Sequence, residues 1–378
     1  MSTVLIVTGE ASGDLHGASL AAALKTACPG LDLRGVGGSK MAAAGVQLIQ
    51  GIDRLDVMGL PGLAHIRKAV RTYRTLVRYF RETRLDAVVF IDNPGLNLRL
   101  ARAAKGAGHR VIYYIGPQLW AWHASRIHLI KRVVDRMLVI LPFEQDLYRR
   151  AGVPCDYVGN PVLDAIAPSY DRAELRKRFG VEPEARVIGL LPGSREREIQ
   201  AHLPVMAAAA ARLAASDGPL TFLLAQASSI DPALVASYVR EATVPIHIVP
   251  QQPLEVMAAS DLLLTSSGTA TLQAAIVGTP MVIVYRTSRL TYAIGRRLVR
   301  VKWGGLPNLL ANEEIVPELI QDACTPDRLA AEAARLLRDR AAYEAMRAAL
   351  RRVREQLGEA GASRRAAEAV LATMGASA

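Results

Sequence analysis

Short apolar runs alternate with helical patterns along the chain, and the alternation comes in two sets. We predict the first set of strands at residues 4–7, 31–36, 87–91, 111–115 and 137–140. Helical segments such as 16–27 and 96–107 lie between them. We predict the second set of strands at 187–191, 220–224, 246–249, 262–264 and 281–284. Strands that alternate with helices in this way are typical of βαβ units and parallel sheets.

The two sets predict an α/β fold with two doubly wound parallel-sheet domains that face each other across a cleft. A chain of 378 residues is long enough for two hydrophobic cores. We expect the first domain over 1–165 and the second over 170–340, and a C-terminal helix at about 345–378 has the option of packing back on the first domain. Ligands of doubly wound domains bind at the carboxyl ends of the strands. The loops after the strands are therefore the candidate site.

The net charge of +11 calls for anionic partners, unless it reflects only an arginine-rich and alanine-rich composition. Anionic lipid and phosphorylated substrates are the candidate partners. Nucleic acid is not expected, because aromatic residues make up only 5% of the chain and no binding motif accompanies the basic residues. The cysteines, Cys28, Cys155 and Cys324, show no metal or disulfide spacing, which favours a reducing cytoplasm. No apolar run approaches the roughly 20 residues of a membrane span.

Two turns that each join a strand to a helix are candidate phosphate-binding sites. In the first, Ser267, Gly268 and Thr269 precede a helix whose first backbone N–H groups have no partner within the helix. In the second, LPGSRERE at 191–198 combines a glycine turn with Arg195. Neither turn is a P-loop, and the chain has no DxD pair. We expect a diphosphate held by these groups, with no metal and no cofactor.

Asp92 is the candidate catalytic residue, because its carboxylate follows an apolar strand directly in the sequence IDNPG. A carboxylate at that place is suited to take a proton from a substrate hydroxyl. The alternative is an Asx turn, in which Asp92 bonds the local backbone before a helix-breaking Pro94. The turn GEASGD at 9–14 has a similar ambiguity, since Ser12 is equally suited to cap an ordinary helix.

Residues 60–84 predict an amphipathic helix with a basic surface. Its apolar stripe comprises Leu63, Ile66, Val70, Tyr73, Val77 and Phe80. The basic residues beside it include Arg67, Lys68, Arg71 and Arg74. Such a stripe is typical of a helix packed on a protein core, and its basic flanks equally suit a helix lying on an anionic membrane surface.

The chain resembles the lipid A disaccharide synthase family from end to end, because many short motifs occur in the family's order. They are GEASGD (9–14), GVGGSKM (35–41), DVMGL (56–60), IDNPGLN (91–97), YYIGPQLWAW (113–122), LPFE (141–144), LLPGSRERE (190–198), SSGTATLQAA (266–275) and LPNLLANEEIVPELIQ (306–321). The resemblance implies two Rossmann-like domains in the GT-B arrangement. The first would face the acceptor and the membrane, and the second would bind the UDP-sugar.

The resemblance also implies an inverting, metal-independent transfer of 2,3-diacylglucosamine from UDP to the 6-hydroxyl of 2,3-diacylglucosamine 1-phosphate. Asp92 would be the general base, and Glu10 and Ser12 would line the acceptor side. The UDP would be held by Arg195, Ser267, Gly268, Thr269, Gln273 and Asn308. The enzyme would work peripherally on the inner face of the cytoplasmic membrane. A homodimer is an open alternative to a monomer.

Two positions depart from the family pattern. Gln273 replaces a usual Glu, so we expect weaker ribose binding, and Asn160 replaces a common His in GNPV at 159–162. The alternatives are another GT-B enzyme, either a UDP-N-acetylglucosamine 2-epimerase or a peptidoglycan glucosaminyltransferase, and a non-catalytic protein that binds a membrane surface.

Overall fold

The computed structural model describes residues 2–9, 11–49, 63–182, 184–298 and 301–375, without the side chains of residues 11, 63–69, 294 and 298. The chain divides into two compact units. The first unit comprises Met1–Asp164 and Glu359–Ala378, and the second comprises Ala165–Gly358. The last segment of the chain therefore returns to the first unit.

The first unit has a parallel sheet of seven strands within the described residues, in the order β3-β2-β1-β4-β5-β6-β7. The strands are β1 (Thr3–Thr8), β2 (Asp32–Val36), β3 (Gln47–Leu48), β4 (Ala87–Ile91), β5 (Arg110–Tyr114), β6 (Arg136–Val139) and β7 (Cys155–Tyr157). The helices are α1 (Ala11–Ala27), α2 (Ser39–Ala43), α3 (Leu63–Glu82), α4 (Pro94–Gly106), α5 (Ile127–Val133), α6 (Pro142–Arg150) and, where the two units divide, α7 (Val162–Ala165).

The second unit repeats this plan with six strands in its described residues, in the order β10-β9-β8-β11-β12-β13. The strands are β8 (Arg186–Leu191), β9 (Leu220–Gln226), β10 (Ile246–Pro250), β11 (Leu262–Ser266), β12 (Met281–Tyr285) and β13 (Glu318–Ile320). The helices are α8 (Arg172–Arg178), α9 (Glu196–Ser216), α10 (Pro232–Arg240), α11 (Pro253–Ala259), α12 (Thr269–Val277), α13 (Arg289–Leu298), α14 (Leu306–Ala311), α15 (Pro326–Arg338) and α16 (Arg340–Gln356). The predicted fold class, α/β with two doubly wound parallel-sheet domains, is confirmed.

The core of the first unit lies on both faces of its sheet, because successive side chains of a strand point to opposite faces. Leu5 and Val7 of β1 join a buried cluster that includes Phe80 of α3. Ile6 joins a second cluster on the other face, which includes Val370 of the last helix, α17 (Ala362–Met374). Burial of one such side chain contributes roughly 1.5–3 kcal/mol. The C-terminal helix therefore completes one face of the first sheet, whereas α16 packs against α12 and α14 in the second unit.

The structure corrects two details at helix starts. Helix α1 begins at Ala11 rather than at residue 16, so Ser12 lies in its first turn and is not its cap. Pro94 is the first residue of α4 and does not break a helix. Proline is favoured there because the first helical N–H has no partner within the helix in any case. The shortest strands, β3, β7 and β13, were not predicted.

Candidate functional site

The backbone at Asp92 is held in a left-handed conformation directly after β4. Asp92 has φ 51° and Asn93 has φ 45°. Such conformations cost on the order of 1–3 kcal/mol each in residues with side chains, and they persist only where the surroundings impose them. Here the Tyr113 hydroxyl donates to the Asp92 carbonyl at 2.7 Å, and Asn97 Nδ2 donates to the same oxygen at 2.8 Å. The position of Asp92 is therefore fixed by the strand and helix beside it.

The Asp92 carboxyl group is half-buried, and its environment makes it a stronger base. Burial raises the pKa of Asp92, against a smaller opposing effect of a hydrogen bond from the Asn93 backbone N–H. A carboxylate with a raised pKa accepts a proton more readily near neutral pH. This backbone contact is with the next residue, whereas an Asx turn would need the N–H of the residue two positions on, which is Pro94 and has none. The Asx turn considered from the sequence is therefore not formed at Asp92.

A close contact joins the end of β1 to this turn. A Cβ atom placed on Gly9 would lie 2.1 Å from Asn93 Nδ2, so only glycine leaves room for the Asn93 side chain. Ser12 is exposed in the first turn of α1, which follows β1. In a parallel sheet the ends of β1 and β4 share one edge, so Ser12 and Asp92 lie at the same edge of the first unit. Glu10 lies outside the described residues.

The loop after β5 carries an exposed tryptophan. Trp120 is partly buried and donates from Nε1 to Glu144 Oε1 at 3.0 Å. Glu144 is buried, and its burial raises the pKa of its carboxyl group to about 7. Trp122 is 42% exposed, with the Arg126 guanidinium 5.7 Å from its ring centroid. The loop therefore has one indole that is hydrogen-bonded to Glu144 and one exposed indole that contacts Arg126.

Open backbone amides lie at the N-terminus of α12. In the described part of the chain, the N–H groups of Gly268, Thr269 and Ala270 have no acceptor, and Gly268 and Thr269 are exposed. These amides and the helix dipole together favour an anion. Gln273 is half-buried one turn further along, on the face of α12 that carries Thr269.

Ser267 precedes these amides, but its own donors are already used. Its hydroxyl donates to the Gly304 carbonyl at 2.8 Å, and its N–H donates to the Val284 carbonyl at 3.0 Å. Ser267 therefore joins the α12 turn to two neighbouring segments. The candidate anion site at this turn consists of the backbone N–H groups of Gly268, Thr269 and Ala270.

The second predicted phosphate turn is filled by a carboxylate of the chain itself. Glu198 Oε2 accepts from the N–H groups of Ser194 at 2.9 Å and Arg195 at 3.3 Å. Its other oxygen, Oε1, accepts from Arg195 Nη1 at 2.8 Å. In this structure Glu198 therefore occupies the turn at 191–198, and binding of a diphosphate by Arg195 stays a prediction. Arg195 is itself exposed, so its guanidinium needs only to leave Glu198 to reach an anion.

Asn308 is buried, and its side-chain amide is saturated. Its Oδ1 accepts from the N–H groups of Ile315 at 2.8 Å and Val316 at 2.9 Å. Its Nδ2 donates to the Val316 carbonyl at 2.8 Å and to Glu318 Oε1 at 2.7 Å. Glu318 in turn accepts from the N–H groups of Gly304 and Gly305. Asn308 therefore shapes the segment that Ser267 contacts, and its side chain has no polar atom left for a ligand.

His202 is a residue of this region that the sequence analysis missed. It is fully buried in α9, where Nδ1 donates to the Pro192 carbonyl at 2.8 Å and Nε2 accepts from the Arg286 N–H at 3.0 Å. These partners fix a neutral tautomer, and burial lowers the pKa of His202. The imidazole thus joins the loops that follow β8 and β12. A histidine between the apolar residues Ile199 and Leu203, in the segment that joins two predicted strands, was the available signal.

The basic helix α3 differs from its predicted stripe. Its buried side chains include Thr72, Leu76 and Phe80, whereas Val70 is 43% exposed. Phe80 and Tyr73 of the predicted stripe pack on the core, whereas the pattern wrongly included Val70. It missed Thr72, because threonine does not count as apolar in a hydrophobic pattern. Arg71 and Arg74 are exposed beside Val70. The side chains of Leu63, Ile66, Arg67 and Lys68 lie outside the described ones.

Among the described residues, no helix is both long and apolar enough to cross a membrane.

Solved structures with a similar fold define the class of this protein. UDP-GlcNAc 2-epimerase from Neisseria meningitidis superposes with a TM-score of 0.67 and 13% identity, over 98% of this chain and 100% of that chain. MurG from Acinetobacter baumannii superposes with a TM-score of 0.60 and 15% identity, over 98% and 100%. These likenesses show the GT-B fold, with two parallel-sheet α/β domains.

The family follows from the sequence comparisons. The family model described as lipid-A-disaccharide synthetase matches residues 4–373. The lipid-A-disaccharide synthase of Geobacter metallireducens is 43% identical over 373 residues, which are 98% of this chain and 97% of that protein. The Myxococcus xanthus enzyme of the same name is 43% identical over 370 residues, which are 97% and 96%. The chain belongs to the lipid-A-disaccharide synthase family of glycosyltransferases, and the resemblance predicted from its motifs is confirmed.

Proposed function

We propose that this chain is an inverting glycosyltransferase that joins UDP-2,3-diacylglucosamine to 2,3-diacylglucosamine 1-phosphate. The products are a β-1,6-linked disaccharide 1-phosphate and UDP. Membership of the family supports the overall reaction. The structural observation that carries the mechanism is Asp92, a half-buried carboxyl group with a raised pKa, fixed at the end of β4.

Asp92 is the general base in this mechanism. Its carboxylate takes the proton of the acceptor's 6-hydroxyl as that oxygen attacks the anomeric carbon of the donor sugar. The bond from the anomeric carbon to the diphosphate oxygen breaks, and UDP leaves with the electron pair. Attack opposite to the leaving group inverts the anomeric centre. General-base catalysis of this kind contributes roughly 10²–10⁴-fold to a rate.

The leaving diphosphate is stabilised by the open amides of Gly268 and Thr269 at the N-terminus of α12. Donors that are fixed in place before reaction stabilise developing negative charge most effectively. Gln273 accepts a hydrogen bond from a ribose hydroxyl in this proposal. Arg195 exchanges its bond with Glu198 for one with the diphosphate. Asn308 and Ser267 act indirectly, because their bonds shape the same loops.

The first unit meets the acceptor and the membrane in this proposal. Glu10 and Ser12 line the acceptor side. The exposed face of α3, with Val70, Arg71 and Arg74, suits an anionic lipid surface, since both substrates carry acyl chains. The cytoplasmic face of the inner membrane is where such a peripheral enzyme would act.

The test is acceptor-dependent release of UDP by wild-type protein, Asp92→Asn and Asp146→Asn. Asp146 is exposed on α6 and serves as a control for loss of one carboxylate. We expect Asp92→Asn to lose about 10²–10⁴-fold in kcat with an unchanged Kd for UDP, and the control to match wild type. UDP release without acceptor, or an active Asp92→Asn enzyme, would contradict the mechanism.

The alternative activities receive no separate support. The epimerase and MurG structures are 13% and 15% identical to this chain, so their likeness concerns the fold alone.

A further inference from the structure

A cavity of about 650 Å³ lies in the second unit, at the edge of its sheet opposite to the loops described above. Arg186 at the start of β8, Asp261 just before β11 and Pro280 just before β12 contribute to its wall. Strand β8 separates this edge from the Pro192 turn by six residues, which at roughly 3.3 Å per residue is about 17–20 Å. The cavity is therefore distinct from the candidate nucleotide site. Its volume is typical of small-molecule sites.

The charged side chains that line this cavity are mostly arginines. They are Arg172, Arg186, Arg338, Arg340, Arg347 and Arg354. The carboxylates in the lining are those of Asp261 and Glu344. Clustered guanidinium groups repel one another unless anions lie among them. The balance of charge therefore depends on which arginines already have a carboxylate partner.

Three of the arginines that line the cavity have no carboxylate partner among the described residues. Asp261 is fully engaged, since it accepts from Arg172, Arg176 and the Val187 N–H at 2.5–2.7 Å. Arg338 pairs with Asp217 at 2.6 Å, and Arg347 is 3.5 Å from Glu344. In the described residues no carboxylate lies within ion-pair distance of the remaining three, which are Arg186, Arg340 and Arg354.

Three hydroxyl groups of the wall already use their hydrogens. Tyr343 donates to the Asp261 carbonyl at 2.8 Å, Ser260 to the Val256 carbonyl at 2.7 Å and Thr279 to the Met257 carbonyl at 2.8 Å. The donors that remain in the described lining are the hydroxyls of Ser169 and Tyr170 and the guanidinium N–H groups, of which Arg186 Nη1 donates to the Leu337 carbonyl at 3.2 Å. A guanidinium group cannot accept a hydrogen bond. A matching ligand must offer several acceptor oxygens and negative charge. Phosphate fits best, because the guanidinium fork binds two of its oxygens at once.

We propose that this cavity is a second anion site, which binds phosphate through Arg186 and Arg340 at one end and through Arg354 at the other, since 14 residues of α16 separate Arg340 from Arg354 by about 21 Å. The phosphate belongs either to a small phosphorylated compound or to a phospholipid headgroup. One wall is the segment 166–172, which directly follows the division between the two units. A bound phosphate would therefore stabilise this connecting segment. The site does not depend on the proposed transfer reaction.

The test compares Arg340→Gln/Arg354→Gln with Arg351→Gln/Arg352→Gln in the full-length protein. Both pairs lie on α16, are exposed and remove the same charge, but Arg351 and Arg352 do not line the cavity. Titration calorimetry with inorganic phosphate and with inorganic diphosphate measures the Kd. We expect the cavity pair to weaken binding about tenfold or more, and the control pair to leave it near the wild-type value.

Two further measurements locate the site and its source of phosphate. Hydrogen exchange of the amides at 166–172 is expected to slow with phosphate in wild-type protein but not in the cavity pair. Flotation with vesicles of phosphatidylglycerol and phosphatidylcholine distinguishes a phospholipid headgroup from a small phosphorylated compound. A loss of flotation specific to the cavity pair assigns a lipid headgroup, and unchanged flotation with lost phosphate binding assigns a soluble phosphate compound. Equal phosphate binding by both pairs, or none by wild-type protein, would overturn the proposal.

Discussion

Replacing His202 with phenylalanine tests whether this imidazole holds two loops of the second unit together. The change leaves the Pro192 carbonyl and the Arg286 N–H without their partner. A buried carbonyl left unpaired costs about 1–3 kcal/mol, and the Arg286 amide costs about 1 kcal/mol, because Arg286 is exposed enough for water to replace the imidazole. We therefore expect His202→Phe to lower the free energy of unfolding by about 2–4 kcal/mol.

The pH dependence of stability gives the same test a second readout. Burial lowers the pKa of His202 below 6.5. Just below pH 6.5 this histidine therefore binds a proton in the unfolded chain but not in the folded protein. The contribution of His202 to stability is thus complete above pH 6.5 and is lost as the pH falls through the folded pKa. Glutamine supplies a donor and an acceptor without titrating. His202→Gln should therefore retain more stability than His202→Phe and remove this part of the pH slope.

The assay is urea unfolding between pH 5 and pH 8, together with calorimetric binding of UDP. His247→Phe is the control, since His247 is exposed on β10. We expect His202→Phe to weaken UDP binding as well, because the Pro192 and Arg286 loops follow strands at the candidate nucleotide edge. Equal unfolding free energies for His202→Phe and His247→Phe would refute the reasoning.

Three further predictions follow from single contacts. Burial raises the pKa of Glu144 to about 7, so stability should fall by up to about 3 kcal/mol as the pH rises from about 4.5 to 7, and Glu144→Gln should flatten that slope in urea unfolding. Gln273→Glu should bind UDP more tightly by calorimetry, because a carboxylate accepts from both ribose hydroxyls; tighter binding by wild type would contradict this. Gly9→Ala must displace Asn93 beside Asp92, so kcat in steady-state kinetics should fall more than tenfold. The Kd for UDP, measured by calorimetry, should change little.

The sequence predicted the sheets well because a buried parallel strand is a continuous apolar run. Residues 87–91 coincide with β4, and Asp92 was placed correctly after it. The two- and three-residue strands β3, β7 and β13 are too short to leave such a pattern. The pattern also missed Thr72 of α3, since this residue is polar although it is buried.

Side-chain partners could not be predicted from local spacing. Nothing in the sequence LPGSRERE tells whether its amides bind a ligand or Glu198, because both are anions and the choice depends on rotamers. The amide of Asn308 is saturated by Ile315, Val316 and Glu318, whose positions depend on the fold of the whole segment. The bonds of His202 to Pro192 and Arg286 join three separate elements, which only tertiary structure brings together.

The most direct measurement is analysis of the products formed from the two acylated substrates by mass spectrometry and NMR. One new disaccharide 1-phosphate with a β-1,6 linkage should appear for every UDP released, and only when donor and acceptor are both present. A retained α configuration at the anomeric carbon, or free diacylglucosamine in place of the disaccharide, would contradict in-line transfer to a hydroxyl activated by Asp92.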